Sequence, residues 1–457
     1  DAGFEALGAT ITQSNDAQVT QDLLAINDCD ESGVGDNAAE CGTDTRNAIE
    51  EISQSNNAPN VADDYIQNNL LAISQDIDAQ NNCDESGDGS NGDTSATCVS
   101  EVVNNILAVT QHNGAQGSGS ADISQVNDNT GMNQDLVADN TCDQSGPGTN
   151  LALCSNSAEN GIAPITQFNS ASADLFSDIT QKNDAAYSQG IDENNDCDES
   201  TLVTGSENNE ANCDNDALNL VEPIGQSNAA TANDDSSIDQ DNNADVSQNI
   251  VADNNCDSTG THTAVCSNSI SVRNVIEGLV QTSAATSFDT AVILQSNDAV
   301  ICQDMTLLND CDETELGSND ASCSNIDPTN IIGPISQTNA ATGEDSSVIT
   351  QSNTIDVSQN IEGTNDCDES GIGSNLAICE TRLTNTIGKI TQSNLVGSLS
   401  GTDVETQSNL FSLTENLVAT NDCDETGSAD NVANCSITAS NTVGDITQTN
   451  TASSNIL

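Results

Sequence analysis

The sequence predicts an all-β fold, a β-solenoid of eight repeats. Three observations carry that expectation: a motif that returns eight times at a nearly constant interval, short segments in which apolar and polar residues alternate, and Asn, Gly, Asp and Ser between them. A fixed period of this length marks units that bury their apolar faces by stacking on one another. The string NDCDESG, or a variant, places a first cysteine at Cys29, Cys83, Cys142, Cys197, Cys256, Cys311, Cys367 and Cys423. A second follows within each unit at Cys41, Cys98, Cys154, Cys213, Cys266, Cys323, Cys379 and Cys435, leaving Cys302 unmatched. The 457 residues therefore read as one repeat domain. Its units lie at approximately 1–44, 45–101, 102–157, 158–216, 217–271, 272–326, 327–382 and 383–438, with a partial repeat at 439–457.

Between the cysteine loops lie three Gln-centred segments. The first type is centred on Gln54, Gln111, Gln167, Gln226, Gln281, Gln337, Gln392 and Gln448, the second on Gln13, Gln67, Gln125, Gln181, Gln240, Gln295, Gln351 and Gln407. The third follows shortly after the second, at Gln21, Gln75, Gln134, Gln189, Gln248, Gln303 and Gln359, with Glu415 in the last unit. Alternation and β-branched Ile, Val and Thr make each a half-buried strand. Identical segments pair most economically with their own copies, and stacked Gln and Asn then form hydrogen-bonded ladders, avoiding a penalty of about 1–3 kcal/mol for each unpaired buried amide. The Gln spacings predict two coils per unit, each of about 22 residues, plus a cysteine excursion. Sixteen such coils would form a rod about 75–80 Å long.

Composition narrows the function. With 73 Asp and Glu against 5 Lys and Arg, the formal charge is -68, a field that repels nucleic acid and anionic membranes and collects cations. Aromatics at 2%, without Trp, are too few for repeated stacking platforms. Two histidines, His112 and His262, stand in unlike contexts, and no nucleophile elbow, phosphate cradle or nucleotide motif accompanies them. An enzyme is not expected. CxxC pairs and the CxxCH of haem attachment are missing, so the cysteines read as disulfides, with one local pair per unit and an oxidising, extracellular or cell-surface location. No apolar run approaches a membrane span. A chain opening on Asp1 reads as one whose signal peptide has been removed. Cys302 occupies a column held elsewhere by Thr20, Ser74, Ser188, Ser247, Ser358 or Thr414, as a replacement for a hydroxyl.

The loop DCDESG offers oxygen at positions 1, 3 and 5 before a glycine at 6, like the opening of a calcium loop. Position 1 is Asp28, Asp196, Asp310, Asp366 or Asp422; position 3 is Asp30, Asp84, Asp143, Asp198, Asp257, Asp312, Asp368 or Asp424; position 5 is Ser or Thr throughout, as at Ser32 and Ser370. Against calcium, a Glu at position 12 is missing, and Thr201 and Glu315 replace the glycine in two units. Specific Ca2+ and diffuse screening by divalent cations both remain open.

The segments from Gln13 to Gln21 (QSNDAQVTQ), Gln67 to Gln75 (QNNLLAISQ) and Gln295 to Gln303 (QSNDAVICQ) resemble the repeats of curlin, the subunit of bacterial curli fibres. The resemblance implies strand-turn-strand coils of the length given above, Gln and Asn ladders and a secreted matrix fibre. It departs in lacking the Gly between Gln and Asn and in adding cysteine loops. The chain starts just before a second-type segment and stops just after a first-type one, so the expected partner is the protein itself, in a head-to-tail homopolymer whose junction joins the segments at Gln448 and Gln13. The expected roles are those of a matrix, biofilm or adhesion fibre. The alternatives are a monomeric calcium-binding adhesin or stalk and, third, an ice- or mineral-binding solenoid.

Overall fold

The computed structural model describes residues 10–454 except 35, 59–63, 88–92, 118–119, 147, 175, 201–207, 234, 260, 269–271, 316–318, 345–346, 372, 399–403 and 429. Among these residues there are strands and no helix, and the fold is the predicted β-solenoid of eight repeats. The second unit serves as the pattern. A long strand, Asp64–Asn82, is followed at the cysteine tip by a short one, Glu85–Gly87; the chain then returns through Thr94–Ile106 and Val109–Gln116. Each strand pairs in parallel with its counterparts in the units before and after. The long strands form one eight-stranded sheet, and the two returning strands form a middle and a short sheet that together face it.

This corrects the expected coil count. Gln13 pairs with Gln67 and Gln21 with Gln75 in a single register, so one unit is one coil, and there are eight coils. The second and third Gln segments are not separate strands: no Gly or Pro interrupts Thr10–Asp28, and the even spacing of Gln13 and Gln21 keeps both on one face of the same strand. The molecule is a slab instead of a slender rod. Nineteen residues of strand span about 63 Å at ~3.3 Å per residue, and the eight-stranded sheet rises only about 34 Å at ~4.8 Å per strand. The segment read as a partial repeat at 439–457 belongs to the last coil, where Ile446–Ser454 pairs with Ile390–Ser398.

Alternation decides what is buried. In the second long strand Tyr65, Gln67, Asn69, Leu71, Ile73, Gln75, Ile77, Ala79 and Asn81 all point inward and are buried, while their neighbours face out. Aliphatic seams therefore alternate with amide columns across the width of the slab. The central seam packs Ile73 and its column against Ile106, Ile162 and Ile332 on the middle sheet and Val109, Ile165 and Ile335 on the short one. Each fully buried Ile contributes about 1.5–3 kcal/mol. The return strand breaks beside this seam at residues such as Pro164, Pro223 and Pro334, which have no N–H to donate to the ladder. At the same break a Cβ on Gly333 would collide with the Glu277 carbonyl, so the backbones approach there as only glycine allows.

Candidate functional site

Three features recur in every coil and define what the surface and core can do: amide ladders, a sulfur column and an acidic edge. All three glutamine series stack as expected. Gln67 Nε2 donates to Gln13 Oε1 at 2.8 Å, Gln125 to Gln67 at 2.8 Å, and the series continues through Gln181, Gln240, Gln295 and Gln351 to Gln407. Gln111 donates to Gln54 at 2.7 Å, and Gln167, Gln226, Gln281, Gln337, Gln392 and Gln448 follow. The series beginning at Gln21 runs through Gln75, Gln134, Gln189, Gln248 and Gln303 to Gln359. In every case the later coil donates to the earlier one.

Asparagine columns, expected beside the glutamine ones but not assigned to residues above, run the other way. Asn15 Nδ2 donates to Asn69 Oδ1 at 2.8 Å, Asn69 to Asn127 at 2.9 Å, and so on to Asn353 and Asn409. A parallel column starts with Asn27 donating to Asn81 at 3.0 Å. The sequence signal of the first column was the Asn two positions after each second-type Gln, and of the second the Asn six positions after each third-type residue, both placed on the inward face by alternation.

The third glutamine ladder fails at its end. Glu415 pairs in register with Gln359, and a carboxylate has no hydrogen to donate, so Gln359 Oε1 and Glu415 Oε1 are both buried without a partner. Burial raises the Glu415 pKa.

At one tip of the slab the cysteines form a continuous column. The second cysteines lie in register, from Cys41 opposite Cys98 to Cys379 opposite Cys435. The first cysteines sit at the ends of the long strands and face them. Disulfides join Cys29 to Cys41, Cys83 to Cys98, Cys256 to Cys266, Cys311 to Cys323 and Cys423 to Cys435, as paired in the sequence. Cys142, Cys154, Cys197, Cys213 and Cys367 are thiols, and Cys379 Sγ touches both Cys367, at 2.7 Å, and Cys423. Among the described residues, the groups that bring three Cys, His, Asp or Glu ligand atoms within 4.8 Å of one another are all cysteines: Cys83, Cys98 and Cys142; Cys142, Cys154 and Cys197; and Cys379, Cys423 and Cys435. Stacking thus gathers sulfurs from neighbouring units, which a count of one pair per unit does not foresee. Cys302 lies apart on the outer face of the long sheet, between Ser247 and Ser358 as expected, and its thiol donates to Asp304 at 3.4 Å.

The acidic edge wraps around the sulfur column. Position 1 of the loop motif forms the column Asp28, Asn82, Thr141, Asp196, Asn255, Asp310, Asp366, Asp422, in which Asn82 and Asn255 donate to Asp28 and Asp196. Position 3 stacks likewise through the backbone, as in Glu31 N to Asp84 O and Glu85 N to Asp143 O, and again at Asp198, Asp312, Asp368 and Asp424. Position 1 ends the long strand, position 5 lies in the short strand at the tip and position 3 falls between them, while parallel stacking brings equivalent positions of adjacent units to about 4.8 Å. The oxygens line a groove, in which positions 1 and 3 of one loop also lie close, as Asp28 does to Asp30 and Asp196 to Asp198. Asp30, Ser32, Asp84, Asp143, Asp198 and Asp257 are among the residues lining a cavity of about 730 Å³ there. Burial, followed by the charges of Asp196, Asp257 and Asp143, pushes Asp198 up to about 7. Asp143, Asp257 and Asp312 are raised by burial and by neighbouring carboxylates, Asp30 mainly by Asp28. Behind them Glu313 and Glu369 are buried and pushed up to about 8 and about 7 by burial and by acidic neighbours. Thr201 and the side chains of Glu315 and His262 lie outside the described residues.

His112 stacks on Phe168 of the next coil, with ring centroids 5.3 Å apart, and burial lowers its pKa. Compared with known proteins, the chain matches no family model, no curated protein and no solved structure.

Proposed function

We propose that this protein is a secreted structural subunit that stacks head to tail into an extracellular filament of matrix, biofilm or adhesive character. The observation that carries this reading is the polarity of the amide ladders. Glutamine ladders leave amide donors on the first coil, at Gln13 and Gln21, and acceptors on the last, at Gln407 and Gln448. The asparagine column of Asn15 and Asn409 leaves the reverse. Among the described residues, both end coils also carry parallel strands with one open edge. Stacking the first coil of one copy on the last coil of another would continue each ladder in its own direction, a heterologous contact that propagates instead of closing. Glu415, an acceptor, suits the incoming Gln21 amide. The disulfides favour an oxidising exterior, and the likeness to curlin repeats belongs to this reading through its ladders alone, since a coil here is a whole unit.

The acidic groove favours divalent cations as stabilisers and supports one second reading, a monomeric cation-binding adhesin or stalk. Electron microscopy and sedimentation of the non-reduced protein, with calcium and with a chelator, separate them. The filament reading expects fibres with a subunit repeat of about 38 Å and a ~4.8 Å cross-strand repeat. Isolated slabs under both conditions would overturn it in favour of the second.

A further inference from the structure

Each second cysteine leans toward the coil that follows. Cys41 Sγ lies 3.4 Å from the carbonyl oxygen of Asn82, Cys98 3.3 Å from that of Thr141, Cys154 3.6 Å from that of Asp196 and Cys213 3.4 Å from that of Asn255. Cys266, Cys323 and Cys379 repeat the contact with Asp310, Asp366 and Asp422 at 3.2, 3.1 and 3.3 Å. In all seven interfaces the carbonyl belongs to the residue just before the next coil's first cysteine. The sulfurs follow: Cys98 lies within 4.8 Å of Cys142, Cys154 of Cys197 and Cys379 of Cys423, in the same groups as their partners within one coil.

The column therefore has two complete pairings. Pairing within coils consumes all sixteen cysteines of one chain. Pairing between coils joins 41 to 83, 98 to 142, 154 to 197, 213 to 256, 266 to 311, 323 to 367 and 379 to 423, and leaves one sulfur at each end: Cys29, half-buried, and Cys435, exposed. Stacking two copies in the register that every internal interface uses brings Cys435 of one copy to Cys29 of the next, in the relation that Cys379 holds to Cys423.

We propose that the sulfur column is a covalent clasp, in which a one-step shift of pairing bonds Cys435 of one copy to Cys29 of the next. This rests on the head-to-tail reading. The shift proceeds by thiol–disulfide exchange and needs one small-molecule thiolate to start it. That thiolate attacks Cys435 at a free end and releases Cys423 as a thiolate, which attacks Cys379 and releases Cys367. The exchange runs down the column until Cys29 leaves and attacks Cys435 of the adjoining copy. The relay starts from the fully oxidised column, in which the pairs containing Cys142, Cys154, Cys197, Cys213 and Cys367, thiols in this structure, have been closed by exchange with a small-molecule disulfide such as oxidised glutathione, each closure reducing one such disulfide to two thiols. From there every step forms one S–S bond and breaks one, so the number of disulfides is constant, and a thiolate equivalent to the initiator emerges at the far end.

The test uses filaments assembled with a trace of reduced glutathione, quenched by alkylation and run on a non-reducing denaturing gel. The clasp expects a ladder of covalent multimers that collapses to monomer on reduction. Digestion at Asp and Glu, since Lys and Arg number only 5, should yield a peptide joining Cys435 to Cys29 and others joining Cys379 to Cys423. Cys29→Ser with Cys41→Ser should still assemble but run as monomer. Wild-type filaments that run as monomer, or multimers whose only cross-link maps to Cys302, would overturn the clasp while leaving the filament intact. Absence of any filament defeats the filament reading and the clasp with it.

Discussion

The two parts of each coil stack like on like with opposite results. Across most of the width the stacked groups are neutral amides, and an amide both donates and accepts, so a column of identical residues satisfies itself: Gln181 donates to Gln125 and accepts from Gln240, each at 2.8 Å. At the cysteine tip most of the stacked groups are carboxylates, which when ionised only accept, and burial together with neighbouring carboxylates raises their pKa, as at Asp198 and Glu313. Repetition is stabilising in the first region and self-opposing in the second. The disulfides lie where stacking opposes itself, and the groove beside them is where cations would act.

Three sets of predictions sharpen that contrast. The largest effect belongs to the covalent staples: replacing Cys83 and Cys98 by Ala opens a loop with a sequence separation of 15 and should cost about 3 kcal/mol in urea unfolding. The ladder comes next. Gln181→Leu strands the Gln125 acceptor and the Gln240 donor and should cost about 1–3 kcal/mol, whereas Glu415→Gln should stabilise the last coil by about 1 kcal/mol by giving Gln359 Oε1 its missing donor. Hydrogen exchange resolved by coil checks both, and an unchanged last coil in Glu415→Gln would mean that the terminal ladder contributes nothing.

The smallest effect per group is the dependence on pH. The acidic edge has pKa values raised above those of the unfolded chain, so the folded state holds protons that the unfolded state releases. Its contribution is fully present below the ordinary carboxylate range near pH 4 and is lost as pH rises through about 7 at Asp198 and Glu369 and about 8 at Glu313. Melting temperature should fall between pH 5 and pH 8, and millimolar calcium or magnesium should recover the loss at pH 8. A flat profile would indicate that the edge is screened already.

Much of this was legible in the sequence. The unit length, the parallel stacking and the glutamine columns follow from the period and the alternation alone, because equivalent residues of identical units have nowhere better to pair. The coil count was not legible from Gln spacing: the interval between Gln13 and Gln21 reads equally as two strands or as one, and only the partner of Gln21, which is Gln75, decides. The acidic loop is hard to read for a related reason. Oxygens at alternate positions converge on one ion if the backbone curls and spread along an edge if it stays extended, and the letters are the same. The proximity of sulfurs in neighbouring units depended on the stagger of Cys98 toward Cys142, a property of the rise and not of the composition.

Because the coils meet in one register apart from bulges between Leu70 and Ala72, Ala185 and Tyr187, and Ile326 and Thr329, most coils are interchangeable parts. An in-frame duplication or loss of one unit in the gene would lengthen or shorten the slab by about 4.8 Å while leaving its width, both its end surfaces and all its interface chemistry as they were. Repeat number then sets the one dimension of the particle that recombination changes.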